Sequence, residues 1–162
     1  MSIRNKYESE LNVVFNKLVN MCHGAELAIE KSITALTERN SDLAREVMNE
    51  DKDIDAAERD IEQDCLKILL MEHPVASDFR EISATLKMIT DLERIGDQAA
   101  DISEISLRFN GERFIKEPEH IKLMAKIVIG MVKDGVKSFI RRDLDVARVR
   151  SEERRVGKEC RS

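Results

Sequence analysis

The sequence has few of the residues that build sheets, disulfide frameworks or nucleic-acid-binding surfaces. Its 162 residues include no tryptophan, one tyrosine, two prolines and six glycines. Few aromatic residues and few helix breakers, combined with 36% charged residues, favour long amphipathic helices over strands. The formal net charge of −5 argues against a nucleic-acid-binding protein, because such proteins usually carry a basic face.

Membrane-spanning segments and catalytic motifs are also missing from the sequence. No apolar run approaches the ~18 residues of a membrane span, and the N-terminus lacks the apolar core of a signal peptide. Cys22, Cys65 and Cys160 share no CxxC spacing, which predicts reduced thiols and a cytoplasmic protein. Any membrane association is expected to be peripheral, through a partner. No glycine-rich phosphate loop or Ser/His/Asp set is present, so we predict no enzyme.

Apolar residues recur at three- and four-residue steps along three long segments, the pattern of amphipathic helices. His73-Pro74 is expected to end the second helix, and Asn110-Gly111 to end the third. Short connections between three such helices predict an all-α protein with an antiparallel three-helix bundle over residues 5–111. The predicted helices run from about Asn5 to Arg39, from about Ser41 to Glu72, and from a cap at Ser77 or Asp78 to Phe109.

A fourth amphipathic segment begins at Glu117-Pro118 and resembles the first helix. When the chain is shifted by 103 residues, Leu18 falls on Ile121 and Arg39 falls on Arg142. This match predicts a tandem repeat, with residues 117–150 as the first helix of an incomplete second three-helix bundle. Residues 151–162 have no apolar stripe and are predicted to be a non-native or disordered tail, although a natural basic tail is the alternative.

Two helices carry acidic residues on a single face. Like charges one turn apart cost a helix roughly 0.2–0.5 kcal/mol per pair, so this arrangement requires an explanation. Two interpretations remain open: a solvated acidic face, or facing carboxylates that bind a hard, oxygen-preferring cation such as Fe³⁺, Mn²⁺, Mg²⁺ or Ca²⁺. The acidic residues are Asp51, Asp55, Glu58 and Glu62 on the second helix, and Glu93, Asp97, Asp101 and Glu104 on the third.

Three segments resemble the PhoU family. They are Asp-Lys-Asp-Ile-Asp at 51–55, His-Pro-Val-Ala-Ser-Asp-Phe-Arg at 73–80, and Asp-Leu-Glu-Arg-Ile-Gly-Asp-Gln-Ala at 91–99. The family usually reads Asp-x-x-Ile-Asp, Gln-Pro-Val-Ala-x-Asp-Leu-Arg and Leu-Glu-Arg-Ile-Gly-Asp, in the same order. The resemblance extends over about residues 5–150, with His73 in place of the usual glutamine.

The resemblance implies two tandem three-helix bundles that can bind clusters of iron or other divalent or trivalent metal ions. The family motif places metal ligands at Asp51, Asp55, Glu93 and Asp97, and the shared helix faces add Glu58, Glu62 and Asp101. Structural or partner-contact roles are expected for Arg94, Gly96, Pro74, Asp78 and Arg80. Gly96 is expected to allow a neighbouring helix to approach closely, at a cost of about 1 kcal/mol in helix propensity.

The resemblance also implies a regulator without catalytic turnover. Proteins of this family restrain phosphate import by the phosphate-specific ABC transporter, and signal phosphate sufficiency to a membrane sensor histidine kinase. The expected partners are therefore the transporter's ATPase subunit, the kinase and a second copy of the chain. Two alternatives remain: a carboxylate-bridged metalloprotein, and a generic helical interaction module with an acidic face.

Overall fold

The computed structural model describes residues 3–71, 75–109, 119–145 and 148, and every regular element within them is an α-helix. The predicted all-α class is confirmed, and the bounds of the first three helices lie within about two residues of those expected. The fourth helix ends at Arg141, before residue 150, to which it was predicted to extend. Pro74, Asn110-Gly111 and residues 151–162 lie outside the described part of the chain. The helices are α1 (Ile3–Glu38), α2 (Ser41–Met71), α3 (Ala76–Arg108) and α4 (Glu119–Arg141).

The first three helices form an antiparallel bundle around one apolar core. Leu18 of α1, Ile61 of α2 and Ile82 of α3 are completely buried. Burying a large aliphatic side chain contributes roughly 1.5–3 kcal/mol, so the apolar stripes supply most of the stabilisation. The core brings one edge of α2 against α1 and the other edge against α3, so α2 presents carboxylates to both neighbours.

The turn between α1 and α2 explains where each helix stops and starts. Arg39 has the left-handed conformation (φ 56°), and the Asn40 amide donates to the Ala35 carbonyl at 2.9 Å. The Asn40 side chain then accepts a hydrogen bond from the Leu43 amide at 3.0 Å, which caps α2. This capping agrees with the turn predicted at residues 40–42.

The end of α4 has the same geometry 103 residues later. Arg142 is left-handed (φ 55°), the Asp143 amide donates to the Ser138 carbonyl at 2.8 Å, and the Asp143 side chain accepts from the Asp145 amide at 3.1 Å. The offset equals that of the sequence match between the two helices. The tandem repeat and the assignment of α4 to a second bundle both stay predictions.

The predicted cap of α3 was wrong. Val75 occupies the N-cap position without a side-chain hydrogen bond, and Ser77 and Asp78 lie inside the first turn. There the Ser77 hydroxyl donates to the Asp78 carboxylate at 3.4 Å. A carboxylate in the first turn stabilises a helix through the exposed amides of that turn, so Asp78 favours the start of α3 without capping it.

The fourth helix packs mainly against α1. Val136 is buried in this contact, and the rings of Phe15 and Phe139 meet edge-to-face with centroids 5.7 Å apart. Arg142 forms an ion pair with Glu81 of α3. The other side of α4 leaves several apolar side chains exposed, namely Leu123, Met124, Ile127 and Val128. Within the described residues, no helix combines the length and apolar character needed to cross a bilayer.

Candidate metal centre

Three aspartates from α2 and α3 form the tightest carboxylate cluster in the described part of the chain. Asp51 and Asp55 lie one turn apart on α2, and Asp97 lies opposite them on α3. One carboxylate oxygen from each lies within 4.8 Å of the other two. Asp51 and Asp55 are half-buried, whereas Asp97 is exposed. The cluster therefore opens to solvent on the α3 side.

The close packing of α3 on α2 depends on Gly96, the residue before Asp97. A Cβ atom at this position would lie 2.9 Å from Ile54 Cδ1 and 3.1 Å from Asp51 Oδ1. A Cβ contact under 3.0 Å is essentially absent from real structures, so the buried Ile54 side chain would have to shift to admit a larger residue here. The missing side chain thus allows Asp97 to approach Asp51.

Like-charge repulsion perturbs two of the predicted ligands. Burial raises the pKa of Asp51 above its ordinary value, and the charges of Asp55, Asp97 and Asp101 raise it further. Burial also raises the pKa of Glu93, with added contributions from Asp97, Glu58, Asp55 and Asp51. Glu93 therefore shares the electrostatic environment of the cluster.

No lysine or arginine of the described residues forms an ion pair with Asp51, Asp55, Glu93 or Asp97. Arg94, for which a structural or partner-contact role was expected, lies 3.9 Å from Asp91 on its own helix. The acidic ligands of α2 and α3 thus face each other without a cationic side chain between them.

The opposite edge of α2 shows how this protein neutralises carboxylates elsewhere. Lys17 of α1 lies 2.7 Å from Asp60 and 2.6 Å from Asp64. Lys31 lies 2.6 Å from Glu46 and 2.8 Å from Glu50. Helix α2 thus has one edge whose acids are paired with lysine and another whose acids are not. Sequence reasoning missed both lysines, because spacing along one helix does not reveal which residues a second helix brings alongside.

The remaining predicted ligands lie at the margins of the cluster. Glu58 accepts a hydrogen bond from Thr90 at 3.0 Å, an interhelical contact that the sequence did not reveal. Asp101 accepts from Gln98 at 3.4 Å, and Glu62 is exposed one turn beyond Glu58. Neither Glu62 nor Asp101 belongs to the group of three.

Two of the predicted structural or partner-contact residues, Asp78 and Arg80, are separate from the carboxylates. Asp78 and Arg80 lie in the first turns of α3, roughly 25 Å along the helix from Asp97 at 1.5 Å per residue. Asp78 is half-buried and Arg80 is exposed. The carboxylate cluster and the first turns of α3 are therefore two separate regions of the α2–α3 hairpin.

The carboxylate cluster has the chemistry of a hard-cation site. Oxygens that bind one cation at about 2.0–2.6 Å can lie up to about 5 Å apart, and the three aspartates satisfy this spacing. The described histidines, His23 on α1 and His120 on α4, are not members of the cluster. An all-oxygen ligand set favours iron(III), manganese, magnesium or calcium over metals that prefer sulfur or imidazole.

The described cysteines provide no reactive thiol. Cys22 and Cys65 are both buried and free, as predicted. Burial raises the pKa of Cys22 to about 12 and that of Cys65 to about 11. Both thiols are therefore protonated at neutral pH and act as small apolar groups.

Comparison with known proteins connects this arrangement to one family. The family model described as "PhoU domain" matches residues 18–106, which include α2, most of α1 and all but the end of α3. The chain is 34% identical over 145 residues to the phosphate-specific transport system accessory protein PhoU homolog of Clostridium acetobutylicum, covering 89% of this chain and 66% of that relative. It is 30% identical over 162 residues to the phosphate-specific transport system accessory protein PhoU of Escherichia coli K12, covering 97% of this chain and 66% of the relative.

A solved structure gives the same result. The crystal structure of PhoU from Pseudomonas aeruginosa superimposes with a TM-score of 0.83 at 30% identity, covering 87% of this chain and 68% of that one. The chain spans about two thirds of the length of the curated relatives it matches. The order of its motifs, its helical architecture and the domain match together show that the chain belongs to the PhoU family.

Proposed function

We propose that this protein regulates phosphate uptake and phosphate-starvation signalling, and that it acts without catalysis. It restrains phosphate import as an adaptor between the phosphate-specific ABC transporter and a sensor histidine kinase, on the cytoplasmic side of the membrane. The observation that carries this proposal is family membership, since relatives of this chain are named accessory proteins of the phosphate-specific transport system. The described thiols, both buried and protonated, agree with a role that needs no nucleophile.

The adaptor role is testable by reconstitution and in cells. The purified chain should bind the purified ATPase subunit of the transporter and the cytosolic part of the kinase in separate pull-downs. In a bacterium that lacks its own regulator of this family, expression of the chain should lower phosphate uptake and switch off a phosphate-starvation reporter. If the chain binds neither protein and leaves both readouts unchanged, the adaptor role is excluded, and a generic acidic interaction module is the function that remains.

We further propose that Asp51, Asp55 and Asp97 hold a metal ion, with Glu93 in the surrounding acidic group. Iron or another divalent or trivalent cation would neutralise carboxylates that have no lysine or arginine partner among the described residues. The support is the group of three oxygens within 4.8 Å of one another and the raised pKa values of Asp51 and Glu93. By joining α2 to α3, the cation would stabilise the hairpin that the Thr90–Glu58 hydrogen bond already links.

Metal binding has a matched control within the same helix. The double variant Asp51→Asn/Asp97→Asn should lose bound metal, measured by elemental analysis, and its melting temperature should become insensitive to chelator. The control Asp60→Asn/Asp64→Asn removes two carboxylates that Lys17 neutralises, and should keep the metal content of the parent. Equal metal content and chelator response in the parent and both variants would exclude the site and leave a solvated acidic face.

A further inference from the structure

Several large apolar side chains lie close together at the end of the α2–α3 hairpin. They are more exposed than any other such group among the described residues. We call this group the hairpin-end surface. The exposed fractions are 47% for Leu66, 77% for Leu70, 62% for Met71, 56% for Val75 and 53% for Phe79. All five lie within about two helical turns of the connection between α2 and α3. Clustered exposed apolar residues on a monomer mark interaction sites more often than isolated ones do.

These residues are not displaced members of the core. On α2 the core positions in this region are Ile61, Cys65 and Ile68, and all three are buried. Leu66 and Leu70 follow Glu58 and Glu62 in steps of four residues, which turn about 40° each round the helix, so Leu66 and Leu70 lie progressively farther toward solvent. Two exposed leucines therefore follow the acidic residues of α2 at the end of the hairpin.

The same change occurs on α3. Phe79 precedes Thr90 by steps of four, three and four residues, so both lie along one face of the helix. The hydrogen bond between Thr90 and Glu58 shows that this face borders the acidic edge of α2. The side of α3 that borders the acidic edge of α2 is thus apolar at Phe79, where it reaches the end of the hairpin.

Two cations accompany the hairpin-end surface. Lys67 and Arg80 are exposed, and neither forms an ion pair with a described residue. Nearby acids are engaged: Asp78 accepts from Ser77, and Glu81 pairs with Arg142. A partner that covers the apolar side chains can therefore place carboxylates against Lys67 and Arg80.

We infer that the hairpin-end surface is a docking site for a protein segment with an apolar centre and an acidic rim, carried by the ATPase subunit of the phosphate transporter. The inference rests on the proposed function for the identity of that partner. Apolar side chains beside charged ones are the usual composition of an interface centre and its rim. An anionic bilayer is a poorer match, because the exposed carboxylate of Glu62, one turn from Leu66, would be repelled by it.

Binding of the purified ATPase subunit to the full chain, measured by titration calorimetry, tests the inference. Leu70→Ser/Phe79→Ser should raise the Kd at least ~10-fold, as expected for loss of buried anchor residues. Arg80→Glu should also raise the Kd and reduce its dependence on salt. The matched control Leu123→Ser/Ile127→Ser removes equally large exposed apolar side chains from α4 and should leave the Kd unchanged.

The outcomes separate this inference from the proposed function. If the parent chain binds the ATPase subunit and Leu70→Ser/Phe79→Ser binds equally well, the docking site is wrong and the adaptor role stands. If the α4 control weakens binding as much as the hairpin-end variant does, the assignment to the hairpin end is also wrong. If the parent chain does not bind, the adaptor role and the inference both fail. Because all the substituted side chains are exposed, unchanged circular dichroism and thermal unfolding are expected and confirm that each variant is folded.

Discussion

Asp51 combines partial burial with like-charged neighbours, two conditions that each disfavour the ionised form of a carboxyl group. Its pKa is raised first by burial and then by Asp55, Asp97 and Asp101. A few residues away, Asp60 and Asp64 share Lys17 at 2.7 and 2.6 Å. Asp60 and Asp64 face a lysine, whereas Asp51 faces no lysine or arginine of the described residues. The sequence of α2 alone does not specify this difference.

Replacing Asp51 with asparagine should stabilise the metal-free protein in a pH-dependent way. The folded protein binds the Asp51 proton more tightly than the unfolded chain does. Below its ordinary pKa of about 3.9 the Asp51 carboxyl is therefore neutral and does not lower stability. As the pH rises through the raised pKa of the folded state, the carboxyl ionises and the folded protein loses stability. Urea unfolding with chelator should show Asp51→Asn above the parent at about pH 7 and close to it at about pH 4. A stability difference that does not change with pH would contradict this electrostatic origin.

Gly96 and Gly135 form a matched pair for testing the helix contact. Alanine gains about 1 kcal/mol of helix propensity over glycine at either site. At Gly135 no atom of the described residues outside the local helix backbone lies within 4 Å of the added Cβ, so Gly135→Ala should raise the free energy of unfolding by up to about 1 kcal/mol.

At Gly96 the added Cβ meets buried Ile54 at 2.9 Å, and overpacking of this kind costs about 1–3 kcal/mol. Gly96→Ala should therefore lower the free energy of unfolding by about 1 kcal/mol, measured by urea denaturation. Equal stabilisation by both substitutions would show that α3 does not depend on Gly96 for its position.

At the scale of elements, the sequence predicted α1, α2 and α3 closely because each carries a continuous apolar stripe. The turn at Asn40 was also predictable, since its side chain provides a local cap. The cap of α3 was not, because Val75 holds the N-cap position without the side-chain hydrogen bond on which such predictions depend. Periodicity predicted the candidate site only as two acidic faces, and the family resemblance named Asp51, Asp55, Glu93 and Asp97 within them. Which of these carboxylates meet depends on the approach of α3 at Gly96, which spacing along one helix does not specify.

Helix α4 should be the least protected of the four helices. It packs mainly against α1 and leaves Leu123 and Ile127 exposed, whereas α3 packs against both α1 and α2. Amide hydrogen exchange should therefore be faster in residues 120–140 than in residues 80–105, because fewer contacts must break for local opening. Equal protection of the two segments in the monomer would contradict this expectation.

At the scale of the whole molecule, charges of one sign are concentrated on one side of the bundle. The chain has a formal net charge of −5, and the carboxylates of Asp51, Asp55 and Asp97, which form no ion pair with a described lysine or arginine, lie together between α2 and α3. The lysine-paired carboxylates lie on the α1 side. The α2–α3 hairpin is therefore the region where repulsion should limit stability when no cation is bound.

Added salt should consequently stabilise the metal-free protein. Raising NaCl from about 0.05 M to about 1 M shortens the screening length from about 14 Å to about 3 Å, which weakens repulsion between exposed carboxylates. Urea unfolding should show a gain of roughly 0.5 kcal/mol, comparable to one or two like-charge pairs on a helix. The gain should shrink in Asp51→Asn/Asp97→Asn. A loss of stability with salt would mean that the lysine pairs outweigh the repulsion.

The left-handed turn that ends α1 also ends α4, and this has a consequence for how the backbone is routed. At Arg39 the turn reverses the chain and Asn40 starts the next helix; at Arg142 the turn recurs, Asp143 takes the role of Asn40, and Leu144 and Asp145 are again helical. At each of the two turns, the direction in which the chain leaves the helix is therefore set by a few backbone angles and one polar side chain. Because its interactions are local in sequence, such a reversal of chain direction can form before any distant apolar surface has folded.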